Sequence, residues 1–193
     1  MLELDGVAAG LAAVDVMVKQ AEIQVIEANL VEPGTFVVLI GGGVAEVEES
    51  HRRALDAFGP SVSSDLFLPM AHPALMNGLR GGERREALET IGIVEGTDIA
   101  STLQSADRAL KDARVTLVGI RVAVGLGGRA YFLLAGPHHD VEAAIDAART
   151  VLESRGRLHR TECIARPHPE IHCAAQAREI ASDLANLTSN TFA

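Results

Sequence analysis

The sequence predicts an α+β fold made of two tandem copies of one small domain, each with the element order β-α-β-β-α-β. Three observations predict it: the chain repeats itself, both copies alternate strand and helix periodicity in the same order, and their length differences fall between elements. The stretch LELDGVAAGLAAVDVMVKQAEIQV from Leu2 lies on VEGTDIASTLQSADRALKDARVTL from Val94 at an offset of 92 residues. Glu3 then meets Glu95, Ala8 meets Ala100, Leu11 meets Leu103, Asp15 meets Asp107 and Lys19 meets Lys111. At an offset of 94, Leu39 meets Leu133, Gly42 meets Gly136, Val47 meets Val141 and Ala54 meets Ala148. At 96, His72 meets His168. Each change is a two-residue insertion in the second copy, the first in the loop Val124 to Gly128 and the second between helix and strand.

The elements follow in order. A short alternating strand, Met1 to Leu4 and again Thr90 to Glu95, opens each copy. An amphipathic helix comes next, with Val7, Leu11, Val14 and Val18 at helical spacing, matched by Ile99, Leu103, Ala106 and Leu110. Two strands follow, Ile23 to Leu30 and Thr35 to Ile40, with equivalents Val115 to Ala123 and Arg129 to Leu134. Their turns carry Pro33-Gly34 in one copy and Gly125, Gly127 and Gly128 in the other. A second helix starts after Gly43 and after Gly136, and a last strand ends near Leu68 and Ile164. This is a split β-α-β arrangement, both helices on one face of a mainly antiparallel sheet. The domains are read as residues 1–77 and 87–173, with a polar, Gly-rich linker at 78–86 and a tail at 174–193.

Composition narrows the function. Hydrophobic residues make up 48% of the 193, enough for a real core, yet aromatics are only 3%, which favours thin layers over deep pockets for flat ligands. A net charge of −9 with scattered Lys and Arg argues against nucleic acid and anionic membrane as partners. No apolar run approaches a membrane span, and no charged-then-apolar leader opens the chain. Two cysteines are too few for a disulfide framework, so a soluble, cytoplasmic protein is expected.

The pattern resembles the tandem-domain shell proteins of bacterial microcompartments, the BMC domain family. It is carried by D-x-x-x-K-x-A on the first helix (Asp15, Lys19, Ala21; Asp107, Lys111, Ala113), the Gly-bounded middle turn, and the closing A-R-P-H from Ala165 to His168. The stretch GIRVAVGLGGRAYFLLAG from Gly119 resembles the second domain of the single-layer members. The resemblance implies two ferredoxin-like BMC domains per chain and a homotrimer whose six domains mimic a hexamer. Such trimers tile edge to edge with other shell proteins, with encapsulated enzymes as further partners, and carry no enzymatic activity. By the same resemblance Lys19, Lys111, His72, Arg166 and His168 lie at the tile edge; the first copy has Met70 where the second has the arginine. The pore is expected at Val31, Glu32, Pro33 and Gly34, and at Gly125, Leu126, Gly127 and Gly128. In an iron–sulfur relative a cysteine precedes Pro-Gly; here Glu32 stands there, and no cofactor is expected.

Other motifs in the chain fit other readings less well. Gly41-Gly42-Gly43 fits neither phosphate-loop spacing and reads as a tight strand-to-helix turn. Cys163, His168, His172 and Cys173 have metal-ligand chemistry but no standard metal spacing, so no metal is expected. No nucleophile–base–acid set is evident, and no catalytic residue is assigned. The rival from another class is a ferredoxin-like trimeric regulator that binds small molecules between subunits. Such a regulator would need neither the paired lysines nor the A-R-P-H ending.

Overall fold

The computed structural model describes residues 1–80, 89–122, 126–168 and 171. The first half runs β1 (Leu2–Asp5), α1 (Val7–Gln20), β2 (Gln24–Val31), β3 (Thr35–Gly41), α2 (Val44–Phe58), a 3-10 turn (Gly59–Ser61), β4 (Val62–Asp65) and α3 (Ala74–Leu79). The second runs β5 (Thr90–Gly96), α4 (Ile99–Asp112), β6 (Thr116–Val122), β7 (Ala130–Gly136), α5 (His138–Ser154) and β8 (Leu158–Ala165). Each half forms one four-stranded sheet, ordered β2-β3-β1-β4 and β6-β7-β5-β8, with every pairing antiparallel. The repeat extends to the irregularities. The β2–β3 register shifts between Val25 and Glu27 and the β6–β7 register between Leu117 and Gly119, while β1–β4 and β5–β8 shift at Glu3/Leu4 and Glu95/Gly96. Leu30 opposite Phe36 and Val122 opposite Ala130 are equivalent pairs, so the first two-residue insertion lies wholly in the loop beyond them.

Two expectations need correcting. The apolar stripe read on α1 is only partly its inner face: Val14 packs against the first-half core beside the buried Gly10, Ala13 and Met17, whereas Val7 is 41%, Leu11 57% and Val18 44% exposed. Gly10 makes that packing possible, because a Cβ there would collide with the Phe36 ring. On α4 the matching residues Ile99, Leu103 and Leu110 are all buried, in a cluster that also holds Met1, Leu66 and Leu75 of the first half. One helix is therefore covered on both sides and its copy on one. The second correction concerns the linker. Gly78 and Leu79 belong to α3, since Gly78 packs against Leu117 and Ile120 of β6 and any Cβ there would clash. Residues 81–86 of the expected linker, and the tail at 174–193, lie outside the described residues.

The halves meet through a polar seam laid over that apolar contact. The Glu3 carboxylate accepts the Ala100 N–H of the first turn of α4 at 2.7 Å, from 97 residues away. Asp98 caps the same helix end from the Ser101 N–H at 2.9 Å, receives Ser64 Oγ at 2.9 Å and lies 3.2 Å from Arg157 Nε. Asp107, one side of α4 further on, accepts the His72 N–H at 2.7 Å and the Lys111 ammonium at 2.6 Å. Burial raises the Glu3 carboxyl from 4.5 to about 7, although the backbone N–H groups of Ala100 and Ile99 pull the other way. Between those two values the folded chain holds a proton that the unfolded chain has released, so stability falls as pH rises through this window. The Glu3 contribution should be larger at pH 5 than at pH 8, by about 3 kcal/mol at most, while the buried Met1 ammonium, lowered from 8.0 to about 6, acts in the opposite direction. Thermal unfolding of wild type and Glu3→Gln at both pH values checks it: relative to the variant, the wild type should lose stability between pH 5 and pH 8, and an equal dependence in both would assign the effect elsewhere.

Candidate functional site

Two places hold the residues singled out in the sequence: the tips of the two hairpins and the outer faces of the first helices. At the first tip, Gly34 donates its N–H to the Val31 carbonyl at 2.9 Å, closing the turn through Glu32 and Pro33. At the second, Arg129 N–H reaches the Leu126 carbonyl at 3.3 Å. Gly34, Gly127 and Gly128 sit at φ 127, 59 and 84, which a side chain would resist. Glu32, Pro33, Gly34 and Gly127 are exposed; Val31, Leu126 and Gly128 are half-buried; Gly125 lies outside the described residues. The two tips lie side by side. A Cβ on Gly128 would stand 3.2 Å from Pro33 Cδ and 3.5 Å from the Glu32 carbonyl oxygen. Arg129 turns away from this line, donating Nε–H to the Leu126 carbonyl at 3.2 Å and placing Nη1 2.7 Å from His159 Nε2.

The helix pairs differ in their surroundings. Lys19 and Asp15 meet at 2.6 Å on open surface, 71% and 57% exposed. Lys111 and Asp107 meet at the same distance, but Asp107 is only 7% exposed because His72 and the first half cover it. His72 also starts α3, its Nδ1 accepting the Ala74 N–H at 3.2 Å. Arg166 takes φ 50 at the end of β8 and donates its N–H to the Glu89 carbonyl at 2.9 Å. Met70, at the position of that arginine, is 80% exposed. His168 is exposed, and its carbonyl accepts the Ile171 N–H at 2.9 Å.

The remaining candidates sit elsewhere. Cys163 on β8 faces His138 of α5, with Sγ 3.8 Å from Nδ1, and His138 Nε2 lies 3.4 Å from Glu142. Burial, with the Glu142 charge behind it, raises the Cys163 thiol, the wrong direction for a nucleophile. His172 and Cys173 lie outside the described residues, and among the described residues no group of three His, Cys, Asp or Glu is placed to hold a metal. Gly42, at φ 153, makes the turn from β3 into α2. Glu3 and its copy Glu95 carried no role in the sequence reading; the signal was there in their recurrence, but a lone pair of matching acids does not say what it touches.

Comparison with known proteins bears on all of this. The BMC domain model matches twice, over residues 1–71 and 90–167. The bacterial microcompartment shell protein PduT of Citrobacter freundii is 32% identical over 168 residues, 87% of this chain and 91% of that protein. The shell protein EutM of Salmonella typhimurium is 30% identical over 84 residues, 44% of this chain and 85% of its own length, so it spans about one copy of the repeat. A microcompartment protein from Desulfitobacterium hafniense superposes with TM-score 0.79 at 34% identity, covering 88% of this chain and 94% of that one.

Proposed function

Because the chain belongs to the BMC domain family, we propose that three copies close into a flat tile whose six domains surround one central opening. Its role is structural, in the shell of a bacterial microcompartment. The regulatory trimer is set aside, since the proteins matching across the whole chain are microcompartment proteins. The tile has no reaction of its own; it serves as wall and passage, and its neighbours are further copies and other shell proteins.

One observation supports the opening above the rest: the turn at Glu32-Pro33 and the turn at Gly127-Gly128 lie against each other in one chain. Two adjacent hairpin tips are one third of a ring of six. Threefold repetition would line the opening with three Glu32 carboxylates, three Leu126 side chains and bare glycine backbone. Fixed carboxylates around a narrow passage raise the local potential against anions and leave neutral solutes largely unaffected. Glu32→Gln should therefore raise anion flux relative to a neutral solute of similar size. Reconstituted shells or a planar bilayer provide the measurement, and an unchanged ratio would remove Glu32 from the passage.

The tile edges rest on Lys19 and Lys111, with His72, Arg166 and His168 beside them. The exposed pair Asp15–Lys19 adds only about 0.2–0.5 kcal/mol to the chain's own stability, and without Lys111 the half that covers Asp107 still supplies it the His72 N–H. The double variant Lys19→Ala, Lys111→Ala should accordingly remain a folded trimer and lose sheet formation, seen by electron microscopy. Normal sheets from the double variant, or a trimer that falls apart, would contradict the edge assignment.

A further inference from the structure

The face of α1 that the chain leaves bare is the same face that the chain buries on α4. Val7, Leu11 and Val18 stand where Ile99, Leu103 and Leu110 stand, one repeat earlier. Asp15, 57% exposed, is the copy of Asp107, which takes the His72 N–H. Helix α4 has Asp98 and Glu3 at its N-terminus; helix α1 starts at Gly6 with no side-chain cap, and Ala8, the copy of Ala100, is exposed. The other side of the seam is duplicated too. Glu95 is the copy of Glu3, at the same strand shift, and His168 is the copy of His72. Glu95 lies on the second half's free side, 37% exposed, with His159 Nε2 3.7 Å away as its neighbour.

We propose that Glu95 of one copy caps helix α1 of the next copy at the Ala8 N–H, while the same neighbour covers Val7, Leu11 and Val18 and offers the His168 N–H to Asp15. This rests on the trimeric reading above and adds to it the residues that make the chain-to-chain contact. The occupant of the bare face is a second copy of this chain, because Glu95, His168 and Ile171 repeat Glu3, His72 and Leu75 on the second half, with Glu162 in place of Leu66. The two seams are not equal. Gly6 replaces Asp98 and Ser61 stands near the position of Arg157, so the seam between chains lacks the Ser64–Asp98–Arg157 network. On dilution the ring opens between chains and leaves the two halves of each chain together.

Sedimentation equilibrium of wild type, Glu95→Ala and Leu11→Glu tests this, with circular dichroism to confirm that each variant is folded. Both substituted side chains are partly exposed in the single chain, so folding should survive. A helix-end hydrogen bond to a carboxylate, lost at three seams at once, should raise the concentration of half-dissociation at least about tenfold in Glu95→Ala. Leu11→Glu, which puts a charge into an apolar seam, should leave no trimer at micromolar concentration. A trimer unchanged by Glu95→Ala but broken by Leu11→Glu would overturn the cap. A trimer indifferent to both would overturn the whole assignment of the α1 face while leaving the trimer itself standing. A monomeric wild type would instead refute the trimeric reading on which the proposal rests.

Discussion

Burial of one face of α4 by the first half of the chain is the contact on which the rest of the architecture depends. Ile99, Leu103 and Leu110 join Met1, Leu66 and Leu75 in a single cluster, and Glu3 reaches across to the helix end. That contact joins two sheets of identical order into one body and brings the hairpin tips of both halves side by side. It also sets a constraint that a single chain does not satisfy. A duplicated domain with one such seam has one surface of each kind left over, at opposite ends. An exposed Leu11 and an uncapped α1 at one end, and Glu95 at the other, are those remainders. Heterologous surfaces of this sort close a ring when the rotation between units divides a full turn.

The scarcity of aromatic residues is consistent with this geometry. Packing relies on small side chains and on glycine at close approaches: Gly10 against Phe36, Gly78 against Leu117, Gly92 against Val141. Layers packed that way approach one another closely. On the proposed reading, function falls to edges and to loops. Among the described residues each hairpin tip shows one closing backbone hydrogen bond, and the described glycines Gly34, Gly127 and Gly128 take conformations other residues resist.

Much of this was legible in the sequence, and what was not has a physical cause. The repeat gave the element order, because strand and helix periodicities recur at a constant offset and both insertions fall between elements. The hairpin tips and the Asp–Lys pairs were equally visible, each as a local pattern of a few residues. The inner face of α1 is only partly legible, since an apolar stripe says that something covers it without saying whether the same chain does. The real inner face, Gly10-Ala13-Met17, is marked by small residues that carry little hydrophobic signal. Helix α3 escaped notice because six residues are too few to show a period. Glu3 was silent for another reason: a contact spanning 97 residues has no local signature. Its partner is defined only once the two halves are packed.

The account turns on the claim that the seam inside the chain is repeated between chains. An electron cryomicroscopy map of the assembled ring at side-chain resolution tests this most directly. The account predicts three chains and six hairpin tips around one axis, with density for Glu95 against the first turn of a neighbour's α1 and with Leu11 covered. A ring in which α1 faces solvent, or one in which chains meet through surfaces unlike the α4 seam, would contradict it.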